Sequence, residues 1–125
     1  MELKRKKSKP IRFAVFDRDS NKVLKGMGDD VFIAAIKKVG PDQVEKLGIR
    51  GTNGYNLILR NESNATKPKK IIEGYYLNSQ TSSYEKIADL YIIKDALNMP
   101  WDIIVEKVDK SVDDQLNELK KQIIN

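Results

Sequence analysis

At 125 residues, with 23 Lys and Arg against 18 Asp and Glu, the chain carries a formal net charge of +5. Hydrophobic residues at 40% and charged residues at 33% are the balance of one soluble globular domain and not of a disordered segment. The absence of cysteine excludes disulfides, thiolate metal sites and thiol nucleophiles, and the absence of histidine removes the commonest general base and metal ligand. A non-enzymatic protein without cofactor or metal is the expectation. No apolar run approaches the ~18 residues of a membrane span, and the basic start lacks an apolar leader segment. A cytoplasmic protein with no membrane partner follows.

The charge is unevenly placed. Residues 1–10 form a polybasic arm in which Lys4, Arg5, Lys6, Lys7 and Lys9 oppose only Glu2. Residues 11–70 hold 12 basic and 7 acidic side chains, whereas 71–100 and 101–125 are each two charges negative. Such asymmetry points to an electrostatic partner or to self-association.

After the arm, Ile11 to Phe16 alternates as a strand, Asp17 to Lys22 has turn chemistry, and Val23 to Lys25 returns as a short hairpin strand. Asp29 or Asp30 is the expected cap of a helix with Phe32, Ala35, Ile36 and Val39 at core spacing. Gly40-Pro41 ends it and starts a helical turn through Val44 and Leu47, closed by Gly48. Arg50 to Gly54 reads as a flexible loop, and Tyr55, Leu57 and Leu59 alternate in the next strand. Lys70 to Asn78 reads as one strand. Ser82 and Glu85 have capping-box spacing at the start of a helix. Its expected core face is Tyr84, Ile87, Ala88, Leu90 and Tyr91, with Glu85, Lys86 and Asp89 toward solvent. Met99-Pro100 ends that helix, and Trp101 to Val108 is the last strand. Ser111 caps a final helix, with Val112, Leu116, Leu119 and Ile123 on a narrow apolar seam.

The main order of strand, helix, strand, strand, helix, strand is that of ferredoxin-like folds. The expected α+β architecture is one antiparallel sheet of four to five strands, helices on one face, and a C-terminal helix. Its parts are the arm at 1–10, an α+β domain at 11–108, and a terminal helix at 109–125. That helix either docks on the domain or makes a homodimer through Leu116, Leu119 and Ile123.

Several constellations invite a chemical reading. Phe13 to Asp19 resembles the strand-then-Asp-x-Asp start of haloacid-dehalogenase-type phosphatases, which implies Asp17 as nucleophile and Asp19 as acid. Ser20 departs from that pattern, and the chain is too short for the strand-helix repeats it requires, so a solvated turn is expected. A calcium loop on Asp17, Asp19 and Asn21 fails because Lys22 and Gly28 stand where glycine and a bidentate glutamate belong. The glycine-rich stretch 48–54 follows a helix and precedes a strand, the reverse of a phosphate cradle. Gly74-Tyr75-Tyr76 on a central strand resembles the base-stacking strand of RNA-recognition motifs, although Glu73 and Tyr76 replace basic and small residues there. Thr81, Ser82 and Ser83 at a helix start, with Lys86, have the chemistry of an anion site.

The arm is the strongest signal. Five cations within six residues match the polyanionic backbone of a nucleic acid. A binding set of Lys4, Arg5, Lys6, Lys7, Lys9, Arg12, Arg50, Arg60, Lys67, Lys69 and Lys70 is expected, with nucleic acid or a nucleoprotein as partner. The alternative is a small phage-type protein-protein interaction module that regulates or inhibits a larger nucleic-acid-handling enzyme.

Overall fold

The computed structural model describes residues 11–61, 67–107 and 109–124, the side chains of Ile123 and Ile124 excepted. The chain runs β1 (Phe13–Asp17), β2 (Lys22–Leu24), α1 (Gly28–Val39), α2 (Pro41–Lys46), β3 (Ile58–Leu59), β4 (Lys69–Ile72), β5 (Tyr75–Leu77), α3 (Ser83–Ala96), β6 (Trp101–Val105) and α4 (Val112–Ile124). It is an α+β protein. The strands form two antiparallel three-stranded sheets, ordered β2-β1-β6 and β3-β5-β4.

The central strand β1 is buried along its whole length. Phe13 and Val15 join the main core with Val31, Phe32, Ala35 and Ile36 of α1, Leu90 and Ile93 of α3, and Trp101 of β6. Phe16 faces the other way and packs with Ile104 and Leu116, while Val23, Val112 and Leu119 flank them. Alternation along a strand sends neighbouring side chains to opposite faces, so an apolar run such as Phe-Ala-Val-Phe needs cover on both. Helices α1 and α3 cover one face and α4 the other. Leu116, 4% exposed, is thus consumed within the chain. The second sheet joins the main core through Ile58, Ile71 and Leu77.

The expected single ferredoxin-like sheet of four to five strands is not formed. The run 70–78 breaks at Glu73-Gly74, where Gly74 takes a φ of 84°, and folds back as the β4-β5 hairpin. A left-handed backbone at that position favours glycine. Because β5 is then flanked by β4 and β3, it has no edge left for β1, and no strand-helix-strand unit links β5 to β6 in one sheet. The strand expected at 55–59 contributes only two residues as β3, with Leu57 and Ile58 both buried.

Helix starts differ from expectation in one case and agree in two. Residue Met27 precedes α1 without a side-chain cap, and Asp29 and Asp30 lie in the first turn. There their charge still opposes the positive end of the helix. The Ser82 side chain accepts from the Glu85 amide at 3.1 Å, and Ser111 accepts from the Asp114 amide at 3.2 Å. The outer edge of β6 is partly closed, since the Gln115 side-chain amide donates to the Val105 carbonyl at 2.9 Å. Among the described residues no helix is long and apolar enough to cross a membrane.

Because Leu116 fills the second face of β1, Leu116→Ala is expected to cost about 2 to 5 kcal/mol of stability. Urea unfolding of the variant beside the parent chain measures this.

Candidate nucleic-acid interface

The arm cations Lys4, Arg5, Lys6, Lys7 and Lys9 lie outside the described residues. Six expected contact residues are within them, and four are already paired. Arg12, with its side chain 80% exposed, stands 4.0 Å from Glu106. Arg60 reaches Glu45 at 3.3 Å, donates to the Gly74 carbonyl at 3.1 Å, and lies 4.2 Å above the Tyr75 ring. Lys69 meets Asp29 at 2.8 Å, and Lys70 meets Glu73 at 2.7 Å. Only Arg50 and Lys67 have no ion pair to a described residue. They do not converge. Arg50 pairs with Asn56 on the β3 side of the second sheet, whereas Lys67 leads into β4 at the opposite edge. The body therefore supplies no concentrated cationic patch from this set.

The Tyr75 ring is half-buried beneath the Arg60 guanidinium, so it is not an open stacking platform for a base. Among the described residues the four-stranded sheet of an RNA-recognition motif is also missing, since β5 is central in a sheet of three.

The turn after β1 is not simply solvated. Asp17 is buried and paired with Lys38; its carboxylate accepts from the Ser20 hydroxyl at 2.8 Å and the Asp19 amide at 3.2 Å. Burial pushes the carboxyl up, but the hydrogen bonds from Lys38 and Ser20, the Lys38 charge and the Asp19 N–H outweigh it. Asp17 sits below its ordinary range and holds the end of β1 to the end of α1. Neutralising it would leave the Lys38 ammonium with the Ser20 hydroxyl alone, and burial of Asp17 contradicts the expectation of a solvated turn. The neighbouring Arg18 guanidinium binds Asp102 at 2.6 Å across the same end of the sheet.

The loop after α2 is pinned, not flexible. The Thr52 hydroxyl and amide donate to the Glu85 carboxylate at 2.6 and 3.2 Å. Asn53 and Asn78 exchange side-chain amide bonds at 3.0 Å in both directions, and Asn78 is fully buried. Gly51 lies so close that an added Cβ would stand 3.1 Å from Thr81 and 3.3 Å from Asn78. The Thr52 hydroxyl, against a modest burial penalty, helps hold Glu85 below its ordinary range. Glu85 thus serves the loop, while the Ser82 backbone N–H also helps hold its charge, the reciprocal contact of a capping box.

The face that α3 buries is the expected one only at Leu90, which is fully buried, and Ile87, which packs against the main core. Lys86, Asp89, Leu90 and Ile93 are inside, while Tyr84, Tyr91 and Ala88 are exposed. Lys86 is tolerated because it donates to the Thr81 carbonyl and stands 3.4 Å from Asp29, which also binds Lys69. Those partners absorb the cation that an anion site at Thr81 to Ser83 would need. Asp89 is less well served. One of its carboxylate oxygens is buried without a hydrogen bond. Desolvation first, then the Glu85 charge, push its pKa to about 6 against the opposing pull of Lys86.

Two concavities of the described surface are small. One of about 50 Å³ sits beside Val44, Ile49 and Leu57; the other, about 250 Å³, is an open groove between β6 and α4. Both fall below the ~300 Å³ lower end of small-molecule sites. No known protein family, curated protein or solved structure matches the chain.

The buried carboxyl makes a pH prediction. A folded-state pKa above the unfolded value means that the folded chain binds the extra proton, so the contribution of Asp89 to stability falls as pH rises from about 4 to about 6 and is level above, opposite in sign to that of the lowered Asp17 and Glu85. Asp89→Asn is expected to remove that fall and stabilise the protein at pH 7 by about 1 to 3 kcal/mol. Chemical unfolding of both chains at pH 4.5 and pH 7 reads the difference.

Proposed function

We propose that this is a cytoplasmic, non-enzymatic protein that binds nucleic acid or a nucleoprotein through its basic arm. The observation that carries the reading is the contrast between arm and body. Five cations stand in residues 4–9 with no acid among them, while most of the expected body cations are held by acids of the same chain. A fixed ion pair releases no counterion when phosphate approaches unless its own acid is first displaced. Binding energy therefore comes mainly from the arm. Arg12, exposed at the entry to β1, is the body residue best placed in sequence to extend it.

A second reading, a module that acts on a larger nucleic-acid-handling protein, draws on the same contrast. A body with balanced charge and exposed tyrosines on α3 has the chemistry of a protein interface. In that case the arm occupies an acidic or nucleic-acid-binding surface of the target.

Titration against a generic duplex and a single strand at two salt concentrations separates the two. Phosphate binding is expected to weaken steeply with salt, each contact adding about 0.7 to 0.9 to the slope. Deleting residues 2–9 should flatten the slope while the fold remains. No affinity at low salt in the intact chain would remove the first reading and leave the second.

A further inference from the structure

Helix α3 presents a second apolar face that the fold does not use. With residues turned by about 100° each, Tyr84, Ala88, Tyr91 and Asp95 fall within an arc of about 60°, and Ile92 lies at its margin. All five are exposed, Tyr84 at 73%, Ile92 at 48% and Tyr91 at 43%. The pinned loop at Thr52 reaches only the Glu85 flank of the helix and leaves this stripe open, apart from the Lys94 ammonium, which lies 5.9 Å from the centroid of the Tyr91 ring. A row of two tyrosines and an isoleucine on solvent is unusual on a helix whose inner face accommodates Lys86 and Asp89.

We propose that this stripe pairs with the same stripe of a second copy, the two α3 helices running antiparallel about a two-fold axis between Ala88 and Tyr91. The residue pattern is complementary to itself in that direction. Opposite positions are then 84 with 95 and 88 with 91. The Tyr84 phenol donates to the Asp95 carboxylate of the other copy, and the Tyr91 ring enters the gap over Ala88. Asp95 also comes beside the first turn of the other α3, where the helix end carries partial positive charge. A parallel pairing lacks all three features and sets Asp95 against Asp95. The charge pattern thus selects both the occupant and its direction.

One helix stripe on each side covers well under the ~800 Å² per partner of a stable interface, so the association is weak and of micromolar class. Dimerisation places two basic arms on one particle, which raises avidity for a long polyanion without new contacts. The pairing itself does not depend on the arm's partner.

Sedimentation equilibrium from ~5 to ~500 µM tests it, a range chosen for micromolar affinity. The average mass is expected to climb from 14.3 kDa toward twice that value. Ala88→Arg, at an exposed position with little change in helix propensity, should stay monomeric with an unchanged melting temperature. Direction is read by cross-linking, since the chain has no cysteine of its own. In the antiparallel arrangement a mixture of Tyr84→Cys and Asp95→Cys chains should give mixed dimers joined by a short bis-maleimide, with one Tyr84-Asp95 pair left intact. Either variant alone should not, its two thiols lying about 17 Å apart along the helices. A monomeric mass throughout, a folded Ala88→Arg chain that still dimerises, or efficient cross-linking of either variant alone would each overturn the proposal. Loss of nucleic-acid binding in Ala88→Arg without any dimer in the parent chain would overturn it too, by giving the stripe to another ligand.

Discussion

Strand β1 has no exposed face, and the rest of the molecule is arranged to keep it so. Its odd-numbered residues Phe13 and Val15 belong to the main core; Phe16 belongs to the smaller cluster under α4. A three-stranded sheet is too small to bury such a strand by itself, so helices must lie on both sides of it. The consequence reaches the end of the chain. Leu116 is spent on that cover and is not an open seam for a partner. At the C-terminal end of the same strand Asp17 is buried, and its charge survives only because Lys38, Ser20 and the Asp19 amide surround it.

A second constraint is electrostatic. Asp29 sits between Lys69 of β4 and Lys86 of α3, so one carboxylate links α1 to the second sheet and to the helix that follows it. Together with the Thr52-Glu85 and Asn53-Asn78 bonds, it fixes the loop side of the second sheet to α3. Polar groups sealed in this way are costly to break and add position more than net stability. The same economy of charge leaves the body with few uncommitted cations in the set expected to meet phosphate. That is why the arm bears the weight of the functional proposal, and why the exposed apolar surface of α3 is the more informative feature of the body.

Much of the core was legible from residue spacing. Phe32, Ala35 and Ile36 recur at helical intervals, Trp101, Ile103 and Val105 alternate, and all of them join the main cluster. The early hairpin and the helical turn after Pro41 follow from their turn and breaker residues. Two features were hidden. Helix α3 mixes apolar and charged residues around its circumference, so periodicity alone cannot say which stripe is inside. The answer depends on Asp29 and the Thr81 carbonyl waiting for Lys86, which are remote or backbone groups. The β4-β5 hairpin did leave a signal, since Gly74 interrupts a run longer than the usual strand of about 5 to 6 residues. For the site, the arm was plain in the sequence, but pairing of Arg60 and Lys69 with acids distant in the chain was not. Charge counts give net charge and say nothing about which cations are spoken for.

The claim on which the structure rests is that β1 is the last element to lose protection. Native-state hydrogen exchange measures this directly. The amides of Val15 and Phe16, lying between β2 and β6, are expected to exchange only through global unfolding, with the same free energy as denaturant melting. Those of β3 and β4, short strands at the edges of the second sheet, should open at lower cost. If the β1 amides exchange as fast as those of β3 and β4, the doubly covered strand is not the centre of this fold.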